Sequence, residues 1–289
     1  MWLRDEDGLS TPRPDVLVRR LGRSDEPAIA RLMEGDRGFA LFIRGNVLSF
    51  GFSSGIEYWG QLARDTTQGD LEGLLMIVGN SAALYAPAAM DSMITPLAEM
   101  LLHRKVRFIM GRADLMQVVA SVLTKAPERI EQHYFADLPT QRFDRALPQP
   151  LSGVSVRRAT TNDLDGLARL YYGAPGFEHL TIAQIRGTMS GRVTQLRTFV
   201  ADAAHHLVAA ASTSAESYTA GMIGGVWTAP HARGHGYSTA VVAALCADLL
   251  RARQRPYLFY LRDNSAAAHI YAKIGFRVIG DWEVIYFEQ

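Results

Sequence analysis

The chain has 289 residues, 48% hydrophobic and 20% charged, and its 30 basic against 29 acidic side chains leave a formal charge of +1. That composition belongs to an ordinary globular protein; it excludes disordered, collagen-like and disulfide-scaffold classes and favours neither nucleic acid nor an anionic membrane as partner. Cys246, the single cysteine, has no intramolecular disulfide partner, and Met1–Ser10 carries three acidic residues where a signal peptide is basic and then apolar, so a reducing cytoplasm is expected. The longest apolar candidate, Leu71–Met90, is broken by Glu72, Asn80 and Pro87, so no membrane span is expected.

In chain order, Val16–Met33 (VLVRRLGRSDEPAIARLM) is a short alternating β segment, a polar stretch suited to starting a helix, and apolar residues at helical spacing. The first half then predicts strands at Leu74–Val78 and Ala82–Tyr85, a helix at Ala88–Leu102, a strand at Val106–Met110 and a helix at Asp114–Leu123. Pro148, Gln149, Pro150 and Gly153 read as a linker. Immediately after it, Val154–Tyr171 (VSVRRATTNDLDGLARLY) repeats the earlier segment, matching Arg19 with Arg157, Arg20 with Arg158 and Asp25 with Asp163. The chain therefore divides into 1–150 and 151–289, a duplicated domain. The second half predicts strands at Thr198–Ala201, Leu207–Ser214, Met222–Thr228 and Tyr257–Leu261, and helices at Asp163–Tyr172, Thr181–Ser190, Ser238–Arg253 and Ser265–Ile274. The class is α+β (α/β layered), a sheet flanked by helices. Alternation in Trp282–Phe287 predicts a last strand, which either completes a sheet or joins a homodimer.

The most informative stretch is Gly224–Ala244, where an apolar strand runs through Pro230 into Arg233-Gly234-His235-Gly236-Tyr237-Ser238 and a long helix. Strand, glycine loop and helix make an anion-binding layout, because backbone N–H groups and the helix dipole point at the ligand. The NTPase phosphate loop fails for want of a lysine before Ser238. The dinucleotide fingerprint fails at Thr239 and at Gln254–Pro256, where an acidic residue is needed. His231 and His235 lack a third nearby ligand, so no metal site is expected.

The run Thr228-x-Pro230-x-x-Arg233-Gly234-x-Gly236-x-Ser238 resembles the acyl-CoA signature of the GNAT superfamily of N-acetyltransferases. Asn264-x-x-Ala267-x-x-x-Tyr271-x-x-x-Gly275-Phe276 resembles the second motif of that family, in the right order. Ser238 stands where the family usually has Gly or Ala, a small residue for a small residue. The wording of Gly224–Thr228 and Tyr257–Asn264 is similar to a bacterial branch whose N-terminal half is a weaker GNAT-like copy. The resemblance implies two GNAT-like domains, each a mixed, mostly antiparallel sheet, with acetyl-CoA as cosubstrate and a primary amine as acceptor. It further implies that the backbone of Val226, Trp227 and Thr228 holds the pantetheine arm. Arg233, Gly234, His235, Gly236, Tyr237 and Ser238 would cradle the pyrophosphate, Asn264 would cap its helix and contact the cofactor, and Tyr271 would be the general acid. The family's glutamate base falls on Met222, which accepts no proton. Glu216 is the candidate in its place, with Asp202, Tyr218 and the His205-His206 pair also near the slot, although that pair reads as a turn. In the first half Ala86–Ser92 has no glycine and carries Asp91, so that copy is expected not to bind CoA; Glu57, Tyr58 and Trp59 are candidates for a wall of the acceptor pocket. A non-catalytic CoA-binding or regulatory protein is the alternative.

Overall fold

The computed structural model describes residues 2–4, 10–12, 17–36, 38–62, 70–87, 94–124, 126–143 and 153–287. In chain order these form β1 (Trp2–Arg4), β2 (Ser10–Pro12), β3 (Leu17–Arg20), α1 (Glu26–Leu32), α2 (Leu41–Phe50), β4 (Ile56–Leu62), β5 (Leu71–Val78) and β6 (Ser81–Tyr85). There follow α3 (Thr95–Glu99), β7 (Phe108–Arg112), α4 (Ala113–Val122), β8 (Arg129–Asp137), β9 (Val154–Arg158), α5 (Leu164–Tyr171), α6 (Ile182–Gln195), β10 (Thr198–Ala203) and β11 (His206–Glu216). The last elements are β12 (Ala220–Thr228), α7 (Tyr237–Arg251), β13 (Arg255–Leu261), α8 (Ser265–Ile274) and β14 (Arg277–Tyr286). The chain folds as two compact units, one of Met1–His133 with Gly280–Gln289, the other of Tyr134–Ile279.

In the first unit the strands run β3-β4-β5-β6-β7-β14, antiparallel as far as β6, parallel between β6 and β7, and antiparallel again between β7 and β14. The central strand β5 is buried along nearly all its length, as a strand covered on both faces must be. In the second unit the order is β9-β10-β11-β12-β13 and then Tyr134–Asp137 of β8, antiparallel as far as β12 and parallel between β12 and β13. Its core joins Leu167 and Tyr171 of α5, Ile185 and Met189 of α6, and Val241, Leu245 and Leu249 of α7.

The duplication read from the sequence has a physical counterpart. Arg19 pairs with Asp25 at 2.6 Å, and the matching Arg157 pairs with Asp163 at 2.8 Å. Each aspartate also accepts the backbone N–H three residues before it, Gly22 at 2.9 Å and Thr160 at 2.7 Å. In both units an edge-strand arginine thus locks onto the capping aspartate of the first helix.

Compactness groups two segments away from most of their own half of the chain. Residues 134–143 count with the second unit and 280–287 with the first, because β8 neighbours β13 while Trp282–Tyr286 of β14 pair with Arg112–Phe108 of β7. The last strand therefore completes the sheet of the first unit. Second-half elements lie within a few residues of expectation, and α8 coincides with it. In the first half, α2 (LFIRGNVLSF), β4 and β8 were not anticipated. The first is apolar around Gly45 and Asn46 without a helical stripe, and β8 is exposed at its start and buried at its end, so neither shows a clean period. The expected helix at Ala88–Leu102 is α3 and a following 3₁₀ turn, Met100–His103; residues 88–93 lie outside the described residues. Among the described residues no helix is long and apolar enough to cross a membrane.

Candidate functional site

Between β12 and β13 the parallel ladder runs from Ala220 opposite Arg255 to Ile223 opposite Leu258 and ends there. Both strands continue, β12 to Thr228 and β13 to Leu261, so their facing edges diverge into a notch. A bulge in β12 drives the divergence. Trp227 pairs with Ala210 and Gly224 with Ser212, so Gly225 and Val226 together oppose the single residue Ala211. Gly225 takes φ +58°, which a side chain resists, and is solvent-exposed. Its carbonyl accepts the Tyr171 hydroxyl from the end of α5.

Beyond the notch the chain turns through Pro230–Ala232 into the glycine loop. Gly234 and Gly236 have φ of +82° and +77°, with open space where a Cβ would stand. Gly236 is the N-cap of the 15-residue helix α7 and supplies no side-chain cap, so the N–H groups of the first turn face outward. Around them, Arg233 donates from Nε to the Thr228 carbonyl at 3.4 Å and lies over the Trp227 ring at 4.9 Å. The Thr228 and Ser238 hydroxyls are hydrogen-bonded, tying strand end to helix start. The His235 ring donates from Nδ1 to the Arg233 carbonyl at 2.9 Å and stacks on Tyr237 at 5.7 Å.

Across the notch, the Asn264 side chain accepts the Ala267 N–H at 3.0 Å and caps α8. Two turns on, Tyr271 is 8% exposed and packs on Tyr260 at 5.3 Å. Tyr260 belongs to the unpaired end of β13, so the phenol stands beside the notch. Burial pushes its pKa up, with Cys246 and Tyr260 adding to the effect, and keeps it protonated. Val226 to Ser238 thus follow the open edge of β12, while Asn264 and Tyr271 lie on α8, the helix that follows β13.

Glu216 is not part of that opening. It pairs with Arg197, accepts the Thr213 hydroxyl at 2.6 Å and sits opposite Gly221, at the far end of β12. Seven residues of strand, about 23 Å, separate that end from Thr228. Tyr218 is 81% exposed in the same turn. Asp202 is paired with Arg157 at 3.2 Å, and Met222 is fully buried. His205 occupies the two-residue turn between β10 and β11, with Ala204 and His205 both at positive φ. With His206, His231 and Asp202 it borders a cavity of about 650 Å³ on α5, the β10–β11 turn and Trp227, Ala229 and Pro230; no residue of β13, α7 or α8 lines it. Among the described residues no cluster of three or more His, Cys, Asp or Glu is placed to hold a metal.

In the first unit the corresponding parallel pair is closed. Past Ala83 opposite Met110, the backbone of Gly111 approaches Leu84 so closely that a Cβ would stand 2.9 Å from the Leu84 carbonyl, and Arg112 donates to the Ala86 carbonyl at 3.1 Å. Glu57, Tyr58 and Trp59 are engaged inside this unit: Trp59 Nε1 donates to Glu57 at 2.9 Å, Glu57 pairs with Arg104 at 3.0 Å, and Tyr58 is 1% exposed.

Sequence reasoning missed Tyr171 and Arg192. Tyr171 closes the repeated segment where the first copy has Met33, and that difference was the available signal. Arg192 had none, since only the fold brings α6 to Gly225.

Residues 203–286 match the model of the family described as FR47-like protein. No curated protein matches the chain by sequence. Among solved structures, the chain is similar to a GCN5-related N-acetyltransferase from Sphaerobacter thermophilus, with 16% identity, coverage of 95% of this chain and 96% of that one, and TM-score 0.64. It is also similar to a tandem GNAT protein from the clavulanic acid biosynthesis pathway, with 14% identity, coverage of 93% and 97%, and TM-score 0.62. An acetyltransferase from the GNAT family of Colwellia psychrerythraea shows 13% identity, coverage of 94% and 100%, and TM-score 0.57. The fold is that of the GNAT acetyltransferases in tandem form.

Proposed function

We propose that the second unit transfers an acetyl group from acetyl-CoA to the primary amine of an acceptor. The observation that carries this reading is the diverging edge of β12 running into a loop whose Gly234 and Gly236 lack a Cβ, and then into an uncapped helix start. These residues fit the cosubstrate: main-chain groups of Val226–Thr228 face the notch as the edge of an incomplete ladder, suited to the amides of a pantetheine arm. The N–H groups of Gly234–Ser238 and the charge of Arg233 suit a pyrophosphate, and Asn264, its Oδ1 spent on the cap, keeps Nδ2 to offer. Acetyl-CoA supplies an activated thioester.

The chain's own part in the chemistry is small. Attack by a neutral amine forms the N–C bond, loss of the thiolate breaks the C–S bond, and the proton leaving nitrogen balances the one sulfur gains. Tyr271, held protonated by burial, donates towards the departing sulfur. With Met222 at the family's base position and Glu216 bound to Arg197, no carboxylate serves the amine in this reading, so the acceptor enters as the free base. The same missing base favours a second reading, a CoA-binding regulator without turnover.

A calorimetric titration with acetyl-CoA, with NAD as control, tests the proposal. One site per chain is expected, lost in Gly236→Glu, where a carboxylate stands at the helix start; the melting temperature of the variant checks that it folds. Absence of acetyl-CoA binding to wild type overturns both readings, and binding without turnover on any amine favours the regulator.

A further inference from the structure

The helix α6 begins at Thr181, whose side chain accepts the Gln184 N–H while Gln184 reaches back to the Thr181 N–H at 2.9 Å. From that start Ile185 and Met189 fall on the buried face. The next position on the same stripe is Arg192, where an amphipathic helix ordinarily places another apolar residue. Its guanidinium points at the bulge of β12: Nη1 is 2.6 Å from where a Cβ of Gly225 would stand, and the head group lies 5.9 Å from the Phe177 ring.

Among the described residues, the half-buried arginines of the second unit are Arg157, Arg192, Arg197 and Arg255. Three are matched to carboxylates: Arg157 to Asp163 and Asp202, Arg197 to Glu216 and Asp248, and Arg255 to Asp137. Among the described residues the Arg192 side chain has neither an ion pair nor a hydrogen bond; its neighbours are a ring, a glycine and the Tyr171 phenol, whose pKa its charge opposes raising. A partly desolvated cation without a counter-charge is costly, and a fold that pairs the others leaves this one facing an exposed glycine. Gly225, without a side chain, lets the guanidinium come this close to the bulge.

We propose that Arg192 is the acceptor's recognition residue, and that the acceptor is a small amino acid whose carboxylate it binds while the amine faces the bulge. This rests on the acetyl-transfer reading of the notch. The cosubstrate's own pyrophosphate is not the anion Arg192 awaits, because that group belongs at Gly234–Ser238. Even Thr228, which precedes that loop, lies three strand residues from Gly225, about 10 Å. A planar guanidinium suits a carboxylate in bidentate fashion, and the amine of an amino acid lies only two bonds from its carboxyl carbon, so one anchor sets the nucleophile's distance.

The test measures kcat/KM with acetyl-CoA for glycine and alanine against their amides and against ethylamine. The acids are expected to exceed the amides by about tenfold or more, counted on the free-base fraction of each amine. In Arg192→Gln that ratio collapses towards one, and in Arg192→Lys part of it returns; a merely structural arginine would lower both substrates together and leave the ratio intact. Acetyl-CoA titration of each variant reports whether its fold and notch survive. Equal use of acids and amides by the wild type, or acetyl-CoA binding with no turnover of any amino acid, overturns the assignment while leaving the cosubstrate site standing. Failure to bind acetyl-CoA takes the assignment down together with the function it rests on.

Discussion

Tyr271 and Glu216 are both protonatable side chains in the second unit, yet their surroundings set them to different tasks. The Tyr271 hydroxyl has no hydrogen-bond partner among the described residues; the ring is flanked by Tyr260 and Phe276, and burial keeps the proton on it. Glu216 is held by Arg197 and Thr213, and Arg197 also reaches Asp248 at 2.9 Å. Tyr271→Phe is expected to lower kcat about a hundredfold with acetyl-CoA affinity kept, as measured by single-turnover kinetics and titration. Glu216→Gln acts on the opposite observable: turnover stays within about twofold, while urea unfolding shows a loss of about 1–3 kcal/mol from the weakened pair. A collapse of turnover in Glu216→Gln would return that carboxylate to the chemistry.

At the scale of elements, the same strand plan is used twice with opposite results. In the second unit one extra residue in β12 and a glycine at positive φ end the parallel ladder at Ile223, and the strand edge opens. In the first, Arg112 reaches across to Ala86 and the edges stay together. The strand that finishes the first unit is the last in the chain. Within that unit β14 buries Trp282, Val284 and Ile285, Tyr286 donates to Glu131 at 3.2 Å, and Arg129 lies over the Tyr286 ring at 4.2 Å. Ending the chain after Ile279 removes these three apolar side chains, at about 1.5–3 kcal/mol each, a sum comparable to the stability of a domain. Calorimetry of the shortened chain is expected to show the unfolding transition of the N-terminal unit lost or far lower in temperature. An unchanged transition would mean that β14 contributes no stability to that unit.

For the molecule as a whole, buried phenols set a limit at high pH. Burial pushes Tyr171 in the second unit and Tyr58 in the first up to about 12, from an ordinary value of 10. The folded chain therefore keeps protons that the unfolded chain releases, so this contribution is complete below pH 10 and declines as pH rises towards 12. For Tyr171 alone the loss by pH 11 is about 1.4 kcal/mol. Urea midpoints at pH 9 and pH 11 check it, with the lower midpoint expected at pH 11; equal midpoints would mean that the phenols ionise as freely in the fold as out of it.

By itself the sequence determined the local part of this protein. Residue spacing along one segment was enough for the repeated Arg–Asp lock, for the elements of the second half and for the strand, glycine loop and helix at Gly224–Ala244, because each depends on neighbours within a few residues. The capping role of Asn264 was legible for the same reason. Only the tertiary structure decided which strands share a sheet, and with it that the end of β8 from Tyr134 counts with the second unit and the end of β14 from Gly280 with the first. It also placed Glu216, on β11, opposite the far end of β12 and brought Arg192, distant in sequence, against Gly225. Strand pairing and the meeting of charges across elements are long-range choices, settled by which packing satisfies the most groups at once, and no window of sequence contains them.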